Sequence, residues 1–150
     1  TSVSPVPILY EAPHGAAKGC FNHVTEEILV RPGMSQKQTV KTMLHEISHA
    51  TLHRRKKNEP PSKDQYTREV EAESVAYVVC QHFDIDTSDY SFGYVAGWSK
   101  GKELDELKAS LDTIRSCAAG LIDAIEEKCP SLCSQKVQPQ KKSHGGEARE

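Results

Sequence analysis

The sequence predicts an α+β fold, with a small N-terminal β-sheet followed by three helices. Short apolar segments interrupted by prolines and glycines fill positions 8–31, a pattern that is typical of strands and turns. From position 36 onward, apolar residues recur three and four positions apart, which is the spacing of helices. The chain has 150 residues, enough for one domain with a hydrophobic core.

The predicted strands are short and lie close together in the chain. They cover positions 8–10, 19–24 and 27–31, and Pro32 with Gly33 ends the last of them. Positions 1–7 are predicted to form a linker that precedes a domain over positions 8–128. The polar segment 129–150 is predicted to be a disordered tail.

Each predicted helix has a distinct pattern. The first covers about 36–54 and begins at Ser35, an N-cap residue with Gln38 three positions later, as in a capping box. The second covers about 64–83 and is apolar over much of its surface, so we expect it to be buried. The third covers about 101–128 and carries an apolar stripe, which we expect to face the core or a partner. The stripe comprises Leu104, Leu107, Leu111, Ile114, Ala118, Leu121 and Ile125.

Composition argues against several classes of function. Charged residues make up 27% of the chain but its net charge is only −2, so there is no electrostatic basis for expecting nucleic-acid binding. No apolar run approaches the roughly 18 residues of a membrane span, and the N-terminus lacks the basic start and apolar region of a signal peptide. The five cysteines are odd in number and irregularly spaced, so we expect reduced thiols and a cytoplasmic location.

The clearest chemical signal lies in the first helix, where Glu46 follows His45 directly and His49 lies four positions after His45. This spacing puts both imidazoles on one face of the helix, where they can bind the same ion. In such a motif the glutamate acts as general base on zinc-bound water. Paired histidines also occur on helix surfaces, but apolar neighbours place these in a buried helix, where unpaired imidazoles would be costly. We therefore predict a Zn²⁺ site with His45 and His49 as ligands and Glu46 as the catalytic residue.

The third metal ligand is predicted to come from the second helix. His53 continues the histidine series, but one straight helix cannot wrap three such residues around a single ion. The metzincin class is excluded because its glycine and third histidine are replaced here by leucine and arginine. A glutamate of the second helix remains. We favour Glu73, because the helix becomes almost wholly apolar just after it, and keep Glu69, on the same face, as the alternative.

The two segments together resemble the ImmA/IrrE family of metallopeptidases. That family pairs an H-E-x-x-H-x-x-L-H helix, matched here by positions 45–53, with a later E-x-E-A-x-x-F segment, matched by positions 71–77. Ser74 replaces the alanine of that segment and Tyr77 replaces the phenylalanine. The resemblance implies a zincin-like fold in which Glu73 is the third zinc ligand. Segments 10–15, 67–77 and 89–98 are similar, more specifically, to the LtrC/ArdC-like metallopeptidase domains of bacterial conjugative elements.

The substrate is expected to be a protein or peptide. The resemblance implies a helix-turn-helix repressor of a mobile element, because relatives are associated with cleaving such repressors. The alternative is a catalytically silent, zinc-stabilised binding module in a DNA-processing or conjugation complex. The intact Glu46 argues against that alternative, since a structural zinc site needs no general base. The aromatic segment 90–98 is interpreted as core packing, with a wall of the substrate cleft as the alternative.

Overall fold

A computed structural model describes residues 2–56, 58–90, 92–93 and 95–129. Three strands and four helices follow one another in the chain. They are β1 (Ile8–Leu9), β2 (Gly19–Asn22), β3 (Glu27–Val30), α1 (Gln36–Leu52), α2 (Gln65–His82), α3 (Val95–Ser99) and α4 (Leu104–Lys128). The predicted α+β class is therefore confirmed. The short helix α3 was not predicted; it lies in the segment that the sequence analysis described only as aromatic.

The sheet has the strand order β1-β3-β2, with β1 parallel and β2 antiparallel to β3. Ile28 and Val30 of the central strand are fully buried, while Glu27 and Leu29, which alternate with them, are partly exposed, so one face of the sheet lies on the core. Among the described strands β2 pairs only with β3, which leaves its other edge open.

Local sequence chemistry fixes where the two site-bearing helices begin. The side chain of Ser35 accepts a hydrogen bond from the backbone N–H of Gln38 at 3.1 Å, at the predicted start of α1. The side chain of Asp64 accepts one from the N–H of Thr67 at 2.8 Å and caps α2. Each cap satisfies an N–H group that the first turn of a helix leaves unpaired.

The hydrophobic core lies where the inner face of the sheet meets α1, α2 and α4. Helix α2 packs between α1 and α4, which explains why it is apolar over much of its surface. The buried core residues on these elements include Ile28, Val30, Leu44, Ile47, Ala50, Val75, Val79, Ile114, Ala118 and Leu121.

The apolar stripe on α4 is buried only in part. Ile114 and Leu121 are each 7% exposed and belong to the core, whereas Leu104 and Leu111 are 63% and 56% exposed. The stripe therefore faces the core only in part, and the partner-facing alternative stays a prediction for its exposed residues. In the turn of Leu111 the interior position is taken by the neighbouring Ser110, whose hydroxyl donates a hydrogen bond to a buried carboxylate.

The N-terminal segment predicted as a linker, positions 1–7, contributes to the core. Val6 is only 7% exposed and packs with the core residues. Most of the predicted tail, from position 130 onward, lies outside the described residues. In the part of the chain that the structure covers, no helix combines the length and apolarity needed to cross a membrane. The four cysteines described there are free thiols.

Candidate metal centre

Helix α1 presents His45 and His49 one turn apart, with ring centroids 4.8 Å from each other. Glu69, in the second turn of α2, lies opposite both rings. Its Oε1 is 3.3 Å from Nε2 of His45, and its Oε2 is 3.2 Å from Nε2 of His49. The packing of α2 across α1 therefore brings one carboxylate to two imidazoles.

These three side chains fit a divalent metal ion. One ligand atom from each of them lies within 4.8 Å of the others, and all three side chains are partly buried. Two imidazole nitrogens and a carboxylate oxygen form a ligand set that suits zinc. Burial alone would raise the pKa of Glu69, but its contacts with His45 and His49 hold that pKa well below its ordinary value, so the carboxylate is able to bind a cation.

The group that could hold a metal ion contains Glu69, the alternative kept from the sequence, and not the preferred Glu73. Glu73 lies one turn further along α2 and is absent from the group of three, although it borders the cleft beside His45 and Glu46. Burial, together with the charge of Glu69, raises the pKa of Glu73. Both glutamates share a face of α2, but the crossing of the two helices brings Glu69 to the histidine pair.

Glu46 projects from α1 into a cleft beside the three candidate ligands. It is 8% exposed, and burial, reinforced by the charge of Glu69 and opposed by His45, raises its pKa to about 7. It is absent from the group that can bind a metal. A carboxylate in this position can accept a proton near neutral pH.

The cleft has a volume of about 310 Å³ and is bordered by both site helices, by β2 and by the loop that follows α2. Its other lining residues include Lys18, Gln38, Lys41, Thr42, Asp89 and Tyr90. Lys41 forms an ion pair with Asp89 and lies 5.2 Å from the centroid of the Tyr90 ring. Tyr90 also packs edge-on against Tyr77 at 5.4 Å, so the first residue of the aromatic segment both packs and lines the cleft. Ser91 and Tyr94 of that segment lie outside the described residues.

Strand β2 approaches the base of this cleft very closely at Gly19. A Cβ atom placed on Gly19 would lie 2.5 Å from Cγ2 of Thr42 and 3.3 Å from Cγ of Glu46. Only glycine therefore allows β2 to lie this close to α1. The open edge of the sheet thus starts beside the predicted catalytic carboxylate.

A second layer of polar side chains lies behind His49, and sequence reasoning did not find it. Nδ1 of His49 is 2.9 Å from Nδ1 of His53, and Nε2 of His53 is 2.8 Å from Oε1 of Glu71. Glu71 also accepts hydrogen bonds from Lys63 and Ser110. The signal in the sequence was His53, which continues the series of histidines but was weighed only as a possible metal ligand.

Comparison with known proteins relates the chain to one protein family. Residues 8–81 match the model of the peptidase M78 family, described as the IrrE N-terminal-like domain. The chain is also 30% identical over 120 residues to an uncharacterized protein of Bacillus anthracis, a match that covers 79% of this chain and 20% of that protein. The chain thus spans about a fifth of the length of this relative. No solved structure matches the chain.

The matched residues contain the sheet, α1 and almost all of α2, and therefore Glu46 and every candidate metal ligand. The match agrees with the zincin-like fold that the motifs implied. Residues 8–81 of this chain therefore form an ImmA/IrrE-like domain, of the type that the peptidase M78 family model describes.

Proposed function

We propose that this chain is a zinc-dependent peptidase that hydrolyses a peptide bond in a protein substrate. The observation that carries the proposal is the position of Glu46. This buried carboxylate projects into the cleft beside two imidazoles and a carboxylate that fit one metal ion. A purely structural zinc site needs neither an open cleft nor an adjacent proton acceptor.

We infer that His45, His49 and Glu69 hold the ion, with Glu73 as a neighbour. When bound there, zinc would polarise the scissile carbonyl group and lower the pKa of a coordinated water molecule. The two imidazoles and the carboxylate are already directed at one point by the fold, so ligand reorganisation on binding would be small.

Glu46 is proposed to accept the proton of the attacking water and to deliver it to the departing amine. Its raised pKa, about 7, follows mainly from burial, which outweighs the opposing effect of His45. A divalent cation held by the adjacent histidines would lower that pKa, so the carboxylate would be ionised and able to act as a base at neutral pH. Proton transfer of this kind contributes about 10²–10⁴-fold to rate.

The substrate backbone is proposed to lie along the open edge of β2. Unpaired backbone groups on an edge strand can add an extended peptide as a further strand. Because Gly19 lies beside Glu46, a peptide bound there would pass directly in front of the candidate base. The ion pair of Lys41 with Asp89 borders the same cleft and offers polar contacts to substrate side chains.

The biological substrate is proposed from family resemblance to be a repressor of helix-turn-helix type encoded by a mobile element, cleaved in the cytoplasm. Free thiols at the four described cysteines are in keeping with a reducing compartment. The repressor hypothesis is tested by incubating the purified protein with repressors encoded beside its gene and analysing the products by mass spectrometry.

The ligand assignment is tested with a matched pair of variants on one face of α2. Glu69→Gln should lower zinc affinity by more than about 100-fold, the upper range for residues that only support a ligand. Glu73→Gln should retain zinc, because Glu73 is absent from the metal-binding group. Zinc content is measured by elemental analysis after dialysis against a weak chelator. The reverse result, with zinc lost only from Glu73→Gln, would restore Glu73 as the ligand.

The catalytic role is tested by comparing Glu46→Gln with His49→Ala. Glu46→Gln should keep the fold and the zinc but lose at least about 10²-fold in cleavage of a substrate repressor. His49→Ala should lose zinc and thermal stability together, because metal binding and folding are linked. If the wild type binds zinc yet cleaves no candidate, and Glu46→Gln leaves the biological phenotype unchanged, the chain is a zinc-stabilised binding module.

A further inference from the structure

A continuous line of hydrogen bonds runs from the candidate ligand His49 into the interior of the protein. Nδ1 of His49 lies 2.9 Å from Nδ1 of His53, and Nε2 of His53 lies 2.8 Å from Oε1 of Glu71. His53 directly follows α1 and its backbone N–H bonds to the carbonyl of His49, which places its ring one turn beyond that of His49. The line of hydrogen bonds therefore links the C-terminal end of α1 to Glu71 in α2.

The carboxylate at the inner end determines where each proton lies. An ionised Glu71 can only accept, so Nε2 of His53 must donate to it. In a neutral His53, Nδ1 is then an acceptor, and Nδ1 of His49 must carry a proton to donate to it. This leaves Nε2 of His49 as a lone pair, and that is the nitrogen 3.2 Å from the carboxylate of Glu69.

Burial and further donors keep Glu71 ionised and fixed. Glu71 has no exposed surface, and the side chain of His53 is only 3% exposed. Lys63 donates to both carboxylate oxygens, at 2.9 and 3.0 Å, and Ser110 of α4 donates to Oε2 at 2.9 Å. These hydrogen bonds hold the buried carboxylate in one orientation, and the carboxylate in turn fixes the orientation of the groups that bond to it.

We propose that His53 and Glu71 are positioning residues for the metal centre: Glu71, through His53, fixes the tautomer and ring orientation of His49 so that its Nε2 faces the ion. The inference rests on the proposed metal site and adds to it the two residues that lie behind His49. Outer-shell partners of this kind raise the basicity of a ligating imidazole and typically affect metal affinity about 10–100-fold.

A purely structural role is the competing explanation, since the same bonds also tie α1 to α2 and α4. Two substitutions at His53 separate the two roles. In His53→Asn the short amide lies near the former Nδ1 and can still accept from His49. In His53→Gln the longer amide reaches the former Nε2 position, so it can bond to Glu71 but not to His49.

His82 offers a matched control in the same molecule. It bonds to Glu126 through Nε2 at 2.8 Å, the distance found between His53 and Glu71, and it too links the end of one helix to α4. His82→Gln therefore perturbs a histidine–glutamate pair of the same bond length at a different and more exposed position, outside the metal-binding group.

The test measures Zn²⁺ affinity by competition with a chromophoric chelator and records the visible absorption of the Co²⁺-loaded proteins. His53→Gln should lose about 10–100-fold in Zn²⁺ affinity with an altered Co²⁺ spectrum, while His53→Asn should lose less. His82→Gln should match the wild type in both. Thermal unfolding of the metal-free proteins checks that each variant is folded. Glu71→Gln, which neutralises the inner carboxylate, replaces His53→Gln if the latter does not fold.

The possible failures are distinguishable. If the wild type binds neither Zn²⁺ nor Co²⁺, the metal site itself is refuted and the inference falls with it. If the wild type binds Zn²⁺ and His53→Gln stays within about twofold of it, well under the range for outer-shell partners, the positioning role is refuted while the metal site stands. An equal loss in His82→Gln, or equal losses in the two His53 variants, would likewise overturn it.

Discussion

Replacing Gly19 by alanine should destabilise the protein and disturb the catalytic carboxylate. The new Cβ would lie 2.5 Å from Cγ2 of Thr42 and 3.1 Å from the backbone oxygen of Leu29, and Thr42 is itself buried. The distance to Cγ of Glu46 would be 3.3 Å. One added methyl group therefore forces β2 and α1 apart at the point where the cleft begins.

The magnitude follows from two opposing effects. Alanine is less flexible than glycine in the unfolded chain, which alone would favour the variant by about 0.4–1 kcal/mol where the backbone is unstrained. Overpacking of a tight site costs about 1–3 kcal/mol and outweighs that gain here, because the three close atoms belong to two buried side chains and to backbone. The net loss should be about 1–2 kcal/mol, and 1 kcal/mol corresponds to a fall of about 2–4 °C in the melting temperature for a chain near this size.

Urea denaturation in the presence of a chelator measures this loss without a contribution from metal binding. Gly120→Ala is the matched control, because Gly120 lies inside α4 and a Cβ there has no atom within 4 Å. That variant should gain about 0.5–1 kcal/mol, since glycine weakens a helix interior. Cleavage activity should fall only in Gly19→Ala. If Gly19→Ala is as stable as the wild type, β2 does not lie as close to α1 as described, and the reasoning is refuted.

The remaining predictions concern stability. Ile114→Ala should cost about 2–5 kcal/mol because the side chain is 7% exposed, while Leu111→Ala, at 56% exposure, should cost less than about 1 kcal/mol by urea denaturation; equal losses would contradict the burial pattern of α4. A hydrogen bond from Lys102, and one from the cap backbone, lower the pKa of Asp64 to about 2, so its carboxylate adds stability that is present above its ordinary pKa of 3.8 and lost as the pH falls through about 2. Between those values the wild type should therefore lose more stability than Asp64→Asn, as followed by circular dichroism, and parallel curves would refute the shift. Zinc at about 100 times its Kd should raise the free energy of unfolding by about 2.7 kcal/mol over the chelated protein, and identical melting temperatures would argue against a metal site in the folded state.

The parts of the site that depend on local geometry could be predicted from the sequence. The spacing of His45 and His49 fixes their relation within a single helix, so the pair follows from helical periodicity alone. The choice between Glu69 and Glu73 could not be made in this way. Both lie on the same face of α2, and which of them meets the histidines depends on how two helices cross, a property of tertiary packing.

The same limit explains the partial burial of α4. Helical periodicity identified the apolar stripe, but it gave no reason to place Ser110 inside in preference to the adjacent Leu111. The buried carboxylate of Glu71 supplies that reason, since it needs a donor from α4. Polar pairs far apart in the sequence leave no periodic signal, and so they are seen only when the fold is known.

The three candidate ligands all lie between positions 45 and 69, on two consecutive helices, and this has a consequence for how the metal acts on the fold. An ion held there is a crosslink that closes a short segment of chain, and the stabilisation from loop closure grows only slowly with the length closed. Removal of the ion should therefore loosen the connection between α1 and α2 first, while the apolar core beneath the sheet remains packed. A protein that keeps its core in this way can take up its metal after folding is complete.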